Sequence, residues 1–211
     1  MEKAAGFTVI ELLIVIAIIS VITAITVPNL MSANIRAKVS GAKADMGSIA
    51  IALEDYKVDD PDRNYPVEPD PTSYGHDEIA VSGQAFDDPS DARGLGKLVY
   101  PLDASEPTYM KRMPGDPFNS DGVEDWEKDN TKHNHHYSYY TVDEDRNTST
   151  FEAKYWALVS YGPDKDQDID SYAKAWNAVD PNAPNHDIYK DLVYNPDNGI
   201  TSSGDIIIIG P

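Results

Sequence analysis

The sequence predicts an α+β protein: one long N-terminal helix, apolar in its first half, carrying a head with a small antiparallel β-sheet. Three observations lead there. From Phe7 to Val27 nearly every residue is apolar. Beyond that run, Met46, Ile49, Leu53 and Tyr56 recur at spacings of three and four, which places them on one face of a helix. The second half of the chain holds short runs rich in β-branched and aromatic residues, separated by turn-forming segments.

The first run reads FTVIELLIVIAIISVITAITV, with Thr8, Ser20, Thr23 and Thr26 as mild interruptions and Glu11 as its one ionisable side chain. About 20 apolar residues in a helix cross the hydrocarbon core of a bilayer, so length and composition fit a membrane span. A secretory signal peptide is the rival reading, but its apolar region is shorter and ends in a small-residue cleavage site. An acid inside a membrane helix is costly, so Glu11 calls for a partner or for a place near the headgroups. A newly made chain terminus would supply a partner, because an α-amino group titrates near pH ~8 and is cationic at neutral pH. Pro28 brings no N–H to the helix and crowds the preceding turn, so a kink or local opening is expected there.

Past Pro28 the pattern becomes amphipathic, with Arg36, Lys38, Lys43 and Asp45 off the apolar face. Asp59, Asp60, Pro61 and Asp62 are expected to end the helix near Val58. Fifty helical residues would reach roughly 75 Å, longer than a small globular domain. Residues 59–97 are rich in Asp, Pro, Gly and Ser and read as a long surface loop, with a short helix or turn over Gly94–Tyr100. Strands are expected at His136–Val142, Ala153–Tyr161 and Ile206–Ile209, forming a sheet across the second half of the helix.

Composition removes several chemistries. Without cysteine there are no disulfides, zinc–thiolate sites, iron–sulfur clusters or thiol nucleophiles. A formal charge of -19, from 36 acidic and 17 basic residues, disfavours nucleic acid through bulk charge and favours divalent cations. No Gly-rich phosphate loop, nucleophile elbow or HExxH is present, and no histidine is placed to make a triad with Ser160. His133, His135 and His136 offer either a transition-metal site or an exposed polar loop. In SYGPDKDQDIDS, Asp164, Asp166, Asp168 and Asp170 alternate, a pattern that either converges oxygens on a hard cation or forms a solvated acidic turn. An EF-hand does not fit, because Ile169 stands at the turn glycine and Ala175 at the closing glutamate.

MEKAAG followed by GFTVIELLIVIAIISVITAITVP resembles the processing and methylation signature of type IV pilins and pseudopilins. ALEDYKVDD with NYP is similar to the helix exit of the major pseudopilins of type II secretion. YMKRMPGDPFNS resembles their Pro-Asp-Pro-aromatic segment, with Phe118 and Asn119 in place of tryptophan-glycine. SYGPD and the closing YNPDNGITSSGDIIIIGP resemble the same group, while YAKAWNAVDPNAPNHDIYKDLV reads as an insertion.

The resemblance implies a pilin fold organised as a leader (residues 1–6), a membrane and filament-core helix (7–28), the amphipathic half of that helix (29–58) and an α+β head (59–211). It implies cleavage after Gly6 by a membrane-embedded prepilin peptidase and N-methylation of Phe7. It also implies pairing of Glu11 with a neighbouring subunit's terminal amine, and a stretchable segment near Pro28. Calcium would sit in the loop after the strand, with Asp164 and Asp168 as side-chain ligands, Asp170 third and backbone carbonyls completing the shell; Asp205 would reach the same cation. The implied role is structural rather than enzymatic: a homo-oligomeric helical filament built with the secretion machinery from subunits anchored once in the inner membrane, heads extracytoplasmic. A type II secretion pseudopilus is the leading reading, and a type IV surface pilus for adhesion, motility or DNA uptake is the alternative.

Overall fold

The computed structural model describes residues 7–61, 63–66, 79–81, 94–99, 107–119, 137–143 and 153–211. Gly6 and the three histidines of the 133–136 segment lie outside these residues. The chain divides into two units, Met1–Ala37 and Lys38–Pro211. One helix, α1 (Val9–Asp59), contributes to both.

In the first unit, the part of α1 from Val9 to Met31 buries nothing. Phe7, Ile10, Leu13, Ile16, Val21 and Ile25 are among a continuous series of exposed apolar side chains. The few hydroxyls are consumed inside the helix: Ser20 Oγ donates to the Ile16 carbonyl at 2.7 Å, and Thr26 Oγ1 donates to that of Ile22 at 3.0 Å. Pro28 lies within α1, where its missing N–H removes one rung of the ladder. The helix is long and apolar enough to cross a membrane.

In the second unit, the apolar stripe of α1 is buried, through Val39, Ala42, Met46, Ile49 and Leu53. The predicted sheet is present and larger than expected. Strands β1 (Ile79–Val81), β2 (Ser138–Asp143), β3 (Ala153–Ser160) and β4 (Ile206–Gly210) pair antiparallel in the order β1-β2-β3-β4. The three-residue β1 falls inside the segment read as loop, because three residues carry no periodicity to detect. Gly94–Leu98, expected as a short helix or turn, forms a 3₁₀ turn.

Register decides which side chains share a face. Tyr140 pairs with Ala157, which pairs with Ile209, and Val159 pairs with Ile207. These residues make one face, packed with Ile169 against α2 (Tyr172–Val179) and α3 (His186–Tyr189). The opposite face meets α1: Trp156 Nε1 donates to Glu54 Oε1 at 3.4 Å, and Tyr137 OH donates to Asp45 Oδ2 at 3.3 Å. Tyr65 stacks edge-on against Trp156 and donates to Glu54 Oε1 at 2.8 Å, while Lys57 Nζ sits 4.2 Å over its ring. Gly210 opposes Trp156, and a Cβ there would lie 2.0 Å from the indole, so the glycine makes room for the ring. The segment read as an insertion thus supplies a helical layer on the second face, started by Ser171, whose hydroxyl accepts from Lys174 N.

Asp116 ties the Pro-Asp-Pro segment to the end of β3. Its carboxylate accepts from Phe118 N at 2.9 Å, Ser160 Oγ at 2.9 Å and Tyr161 N at 3.0 Å. Burial pushes this carboxyl above its ordinary range, and the three donors oppose that. Asp116→Ala leaves those donors unsatisfied, and a loss on the order of 3 kcal/mol is expected. Urea unfolding of the detergent-solubilised chain, wild type against variant, measures it.

Candidate functional site

Two places carry chemistry, one in each unit. At the N-terminal end of α1, Thr8 N and Thr8 Oγ1 donate to Glu11 Oε2 at 2.9 and 2.8 Å, and Glu11 N donates to Thr8 Oγ1 at 3.3 Å. This reciprocal box satisfies helix N–H groups that have no carbonyl to reach. It holds one carboxylate oxygen of Glu11 against its own helix end, next to Phe7, which is fully in the open.

The second place is the corner where β3 ends and β4 begins. Ser160 pairs with Ile206, so the loop leaving β3 and the residue entering β4 are neighbours although far apart in sequence. Gly162 makes this possible: its φ of 69 lies in the left-handed region, and a Cβ on it would stand 2.3 Å from the Gly204 carbonyl oxygen. Gly204, at φ 113, passes equally close to the backbone of Leu192, Val193 and Tyr194. There Asp205 N donates to Leu192 O at 2.8 Å and Tyr194 N donates to Asp205 O at 2.9 Å, fixing the segment before β4.

The loop and this segment exchange hydrogen bonds. Gly204 N donates to Asp164 Oδ2 at 3.0 Å. Asp168 N and Ile169 N donate to Asp205 Oδ2 at 3.0 and 2.7 Å. Gln167 anchors the loop to β2 by donating to Ser138 Oγ at 3.1 Å. Two carboxylate oxygens are then left over: Asp164 Oδ1 and Asp205 Oδ1 are buried with no hydrogen-bond partner. Such groups are costly unless something pairs with them.

The acidic residues are not alike. Asp205 is 0% exposed, and burial, with the charges of Asp168 and Asp164, pushes its carboxyl up to about 8 despite the two backbone donors. Burial, then Asp164 and Asp166, also raise Asp168, while Lys174 eases it. Asp166 is exposed. Asp170, expected as a third ligand, is turned to a different partner: it stands just before the α2 cap and forms an ion pair with Lys174 at 2.7 Å. Among the described residues no three acidic or histidine side chains meet as a ready metal-ligand group. Carboxylates sharing a buried corner repel one another, which holds them short of a closed shell. The all-oxygen donor set and the two unpartnered oxygens nevertheless fit a hard cation such as calcium.

A raised carboxyl favours the folded state while protonated, so stability is greatest near and below pH ~4 and declines as pH rises to ~8. With calcium chelated, the urea midpoint of the chain is therefore expected to fall between pH 5.5 and 8 (roughly the window set by Asp205) and to level off above it. A midpoint that rises over that range contradicts the burial of this acid.

Residues 1–27 match the family described as the prokaryotic N-terminal methylation motif. Over 124 residues the chain is 31% identical to type II secretion system core protein G of Pseudomonas aeruginosa, covering 56% of this chain and 70% of that protein. Against the protein of the same name in Escherichia coli it is 30% identical over 122 residues, covering 58% and 72%. It is 44% identical over 59 residues to the type IV wide pilus major component of Thermus thermophilus, covering 28% of this chain and 45% of that one. No solved structure matches the chain.

Proposed function

The chain belongs to the family of type II secretion system core protein G, and from that membership we propose the course it follows: cleavage after Gly6, methylation of the new N-terminus at Phe7, and polymerisation into a helical secretion pseudopilus. One observation carries this reading. A methylation motif over residues 1–27 stands on the same chain as a match to most of core protein G, so anchor and head point to one role. The pilus-component similarity keeps a surface pilus as the second reading, on a shorter stretch.

The chain is a membrane-anchored pseudopilin, and its part is structural. Prepilin peptidase is the processing partner and the inner membrane the first location, with the head on the extracytoplasmic side. The exposed apolar surface of α1 leaves lipid only for an equally apolar cover, and copies of the same helix provide one. Glu11 keeps one oxygen on Thr8, and its carboxylate would take the cationic amine of a neighbour's Phe7 during assembly. Pro28 marks the segment that would open or stretch within the filament. In the head, Asp164 and Asp168 with backbone carbonyls would hold calcium, a charge-neutralising staple in a chain without cysteine.

Mass spectrometry of the envelope and sheared fractions is expected to find a chain beginning at methylated Phe7. A chain beginning at Met1 in every fraction overturns the proposal, and long surface fibres built from the processed chain favour the pilus. Glu11→Ala is expected to be inserted and cut normally but to assemble several-fold less; undiminished filament yield removes the pairing. Chelation is expected to lower the melting temperature of the full chain in detergent, and an unchanged melt removes the calcium loop.

A further inference from the structure

We infer that Asp205, not Asp170, is the third carboxylate of the cation site, and that the bound ion staples the start of β4 to the loop that leaves β3. The inference rests on the calcium-loop reading and adds to it a ligand and a consequence.

The argument is one of unfinished bonding. Each segment already uses one carboxylate oxygen to accept backbone N–H groups of the other: Asp164 Oδ2 takes Gly204 N, and Asp205 Oδ2 takes Asp168 N and Ile169 N. Those bonds fix both side chains and leave Asp164 Oδ1 and Asp205 Oδ1 buried without a partner. Asp205 is fully buried, so no water shell relieves it, while Asp164 is partly exposed and leaves a way in for an ion. A group that only accepted hydrogen bonds in this position would do so as well with an amide, and an amide would not add a third negative charge beside Asp164 and Asp168. A divalent cation removes the repulsion and takes the spare oxygens together. Asp170 is excluded from this role by its ion pair with Lys174 on the α2 side.

The consequence lies in sequence separation. Asp205 stands 37 residues beyond Asp168, with α2 and α3 between them. An ion shared by both ends closes that whole segment, as a disulfide would, at the point where β4 joins the sheet. Occupancy then decides how firmly β4 is held, and with it the face built from Ile207 and Ile209.

The test uses the full chain in detergent, melted in calcium chloride and in EDTA. Wild type is expected to melt higher with calcium, and Asp164→Asn to lose that difference. Asp205→Asn is expected to lose most of it as well, and to melt above wild type in EDTA, because it removes an uncompensated buried charge. If Asp205→Asn keeps the full calcium shift while Asp164→Asn loses it, the calcium loop stands and the role of Asp205 falls. If wild type shows no shift, both fall. Hydrogen exchange on wild type needs no variant: calcium is expected to protect the amides of 205–210 as well as those of 162–170. Protection confined to the loop overturns the staple.

Discussion

An apolar helix surface with no protein against it has to be covered by something other than water. From Phe7 to Val27 α1 offers such a surface on every side, and its hydroxyls are turned back onto its own carbonyls. Everything that happens to this chain follows from that requirement. Lipid satisfies it first, and other copies of the same helix satisfy it afterwards, since both replace water with hydrocarbon at comparable cost. The single acid of the segment is the exception that gives direction, because a carboxylate in such surroundings distinguishes one axial position from all others.

The head answers a different requirement. A sheet has two faces, and the Lys38–Asp59 part of α1 covers one of them. The other needs its own cover, and the segment between β3 and β4 provides it: α2 is amphipathic and lays Ala175 and Ala178 on Tyr140, Ala157 and Val159. Small residues suit that contact, since they let the helix backbone approach strands whose own side chains include a tyrosine. Asp116 and the 164–205 corner then fasten the two ends of β3, each through a carboxylate that accepts backbone N–H groups.

These two carboxylate clusters show how the same side chain serves opposite ends. Asp116 accepts three donors and is spent as a structural clamp. Asp164 and Asp205 accept donors on one oxygen each and keep the other in reserve, which is what separates a ligand from a clamp. The alternating aspartates of the loop look equivalent as a string. They are sorted by what the fold puts beside each one: Lys174 beside Asp170, solvent beside Asp166, and the Gly204–Asp205 backbone beside Asp164 and Asp168.

The sequence by itself determined the long helix, its change from apolar to amphipathic, the processing motif at Gly6 and Phe7 and the three longer strands. Each of these is a local pattern, written in periodicity, in an uninterrupted apolar run or in a short motif. It also placed the acidic loop and the Pro-Asp-Pro segment, though without their partners. Only the tertiary structure decided that Ile79–Val81 joins the sheet, that the apparent insertion is the cover of its second face, and that Asp205 rather than Asp170 stands with Asp164 and Asp168. Those outcomes depend on which strand lies beside which, and the pairing of Ser160 with Ile206 brings together residues whose closeness no local pattern encodes.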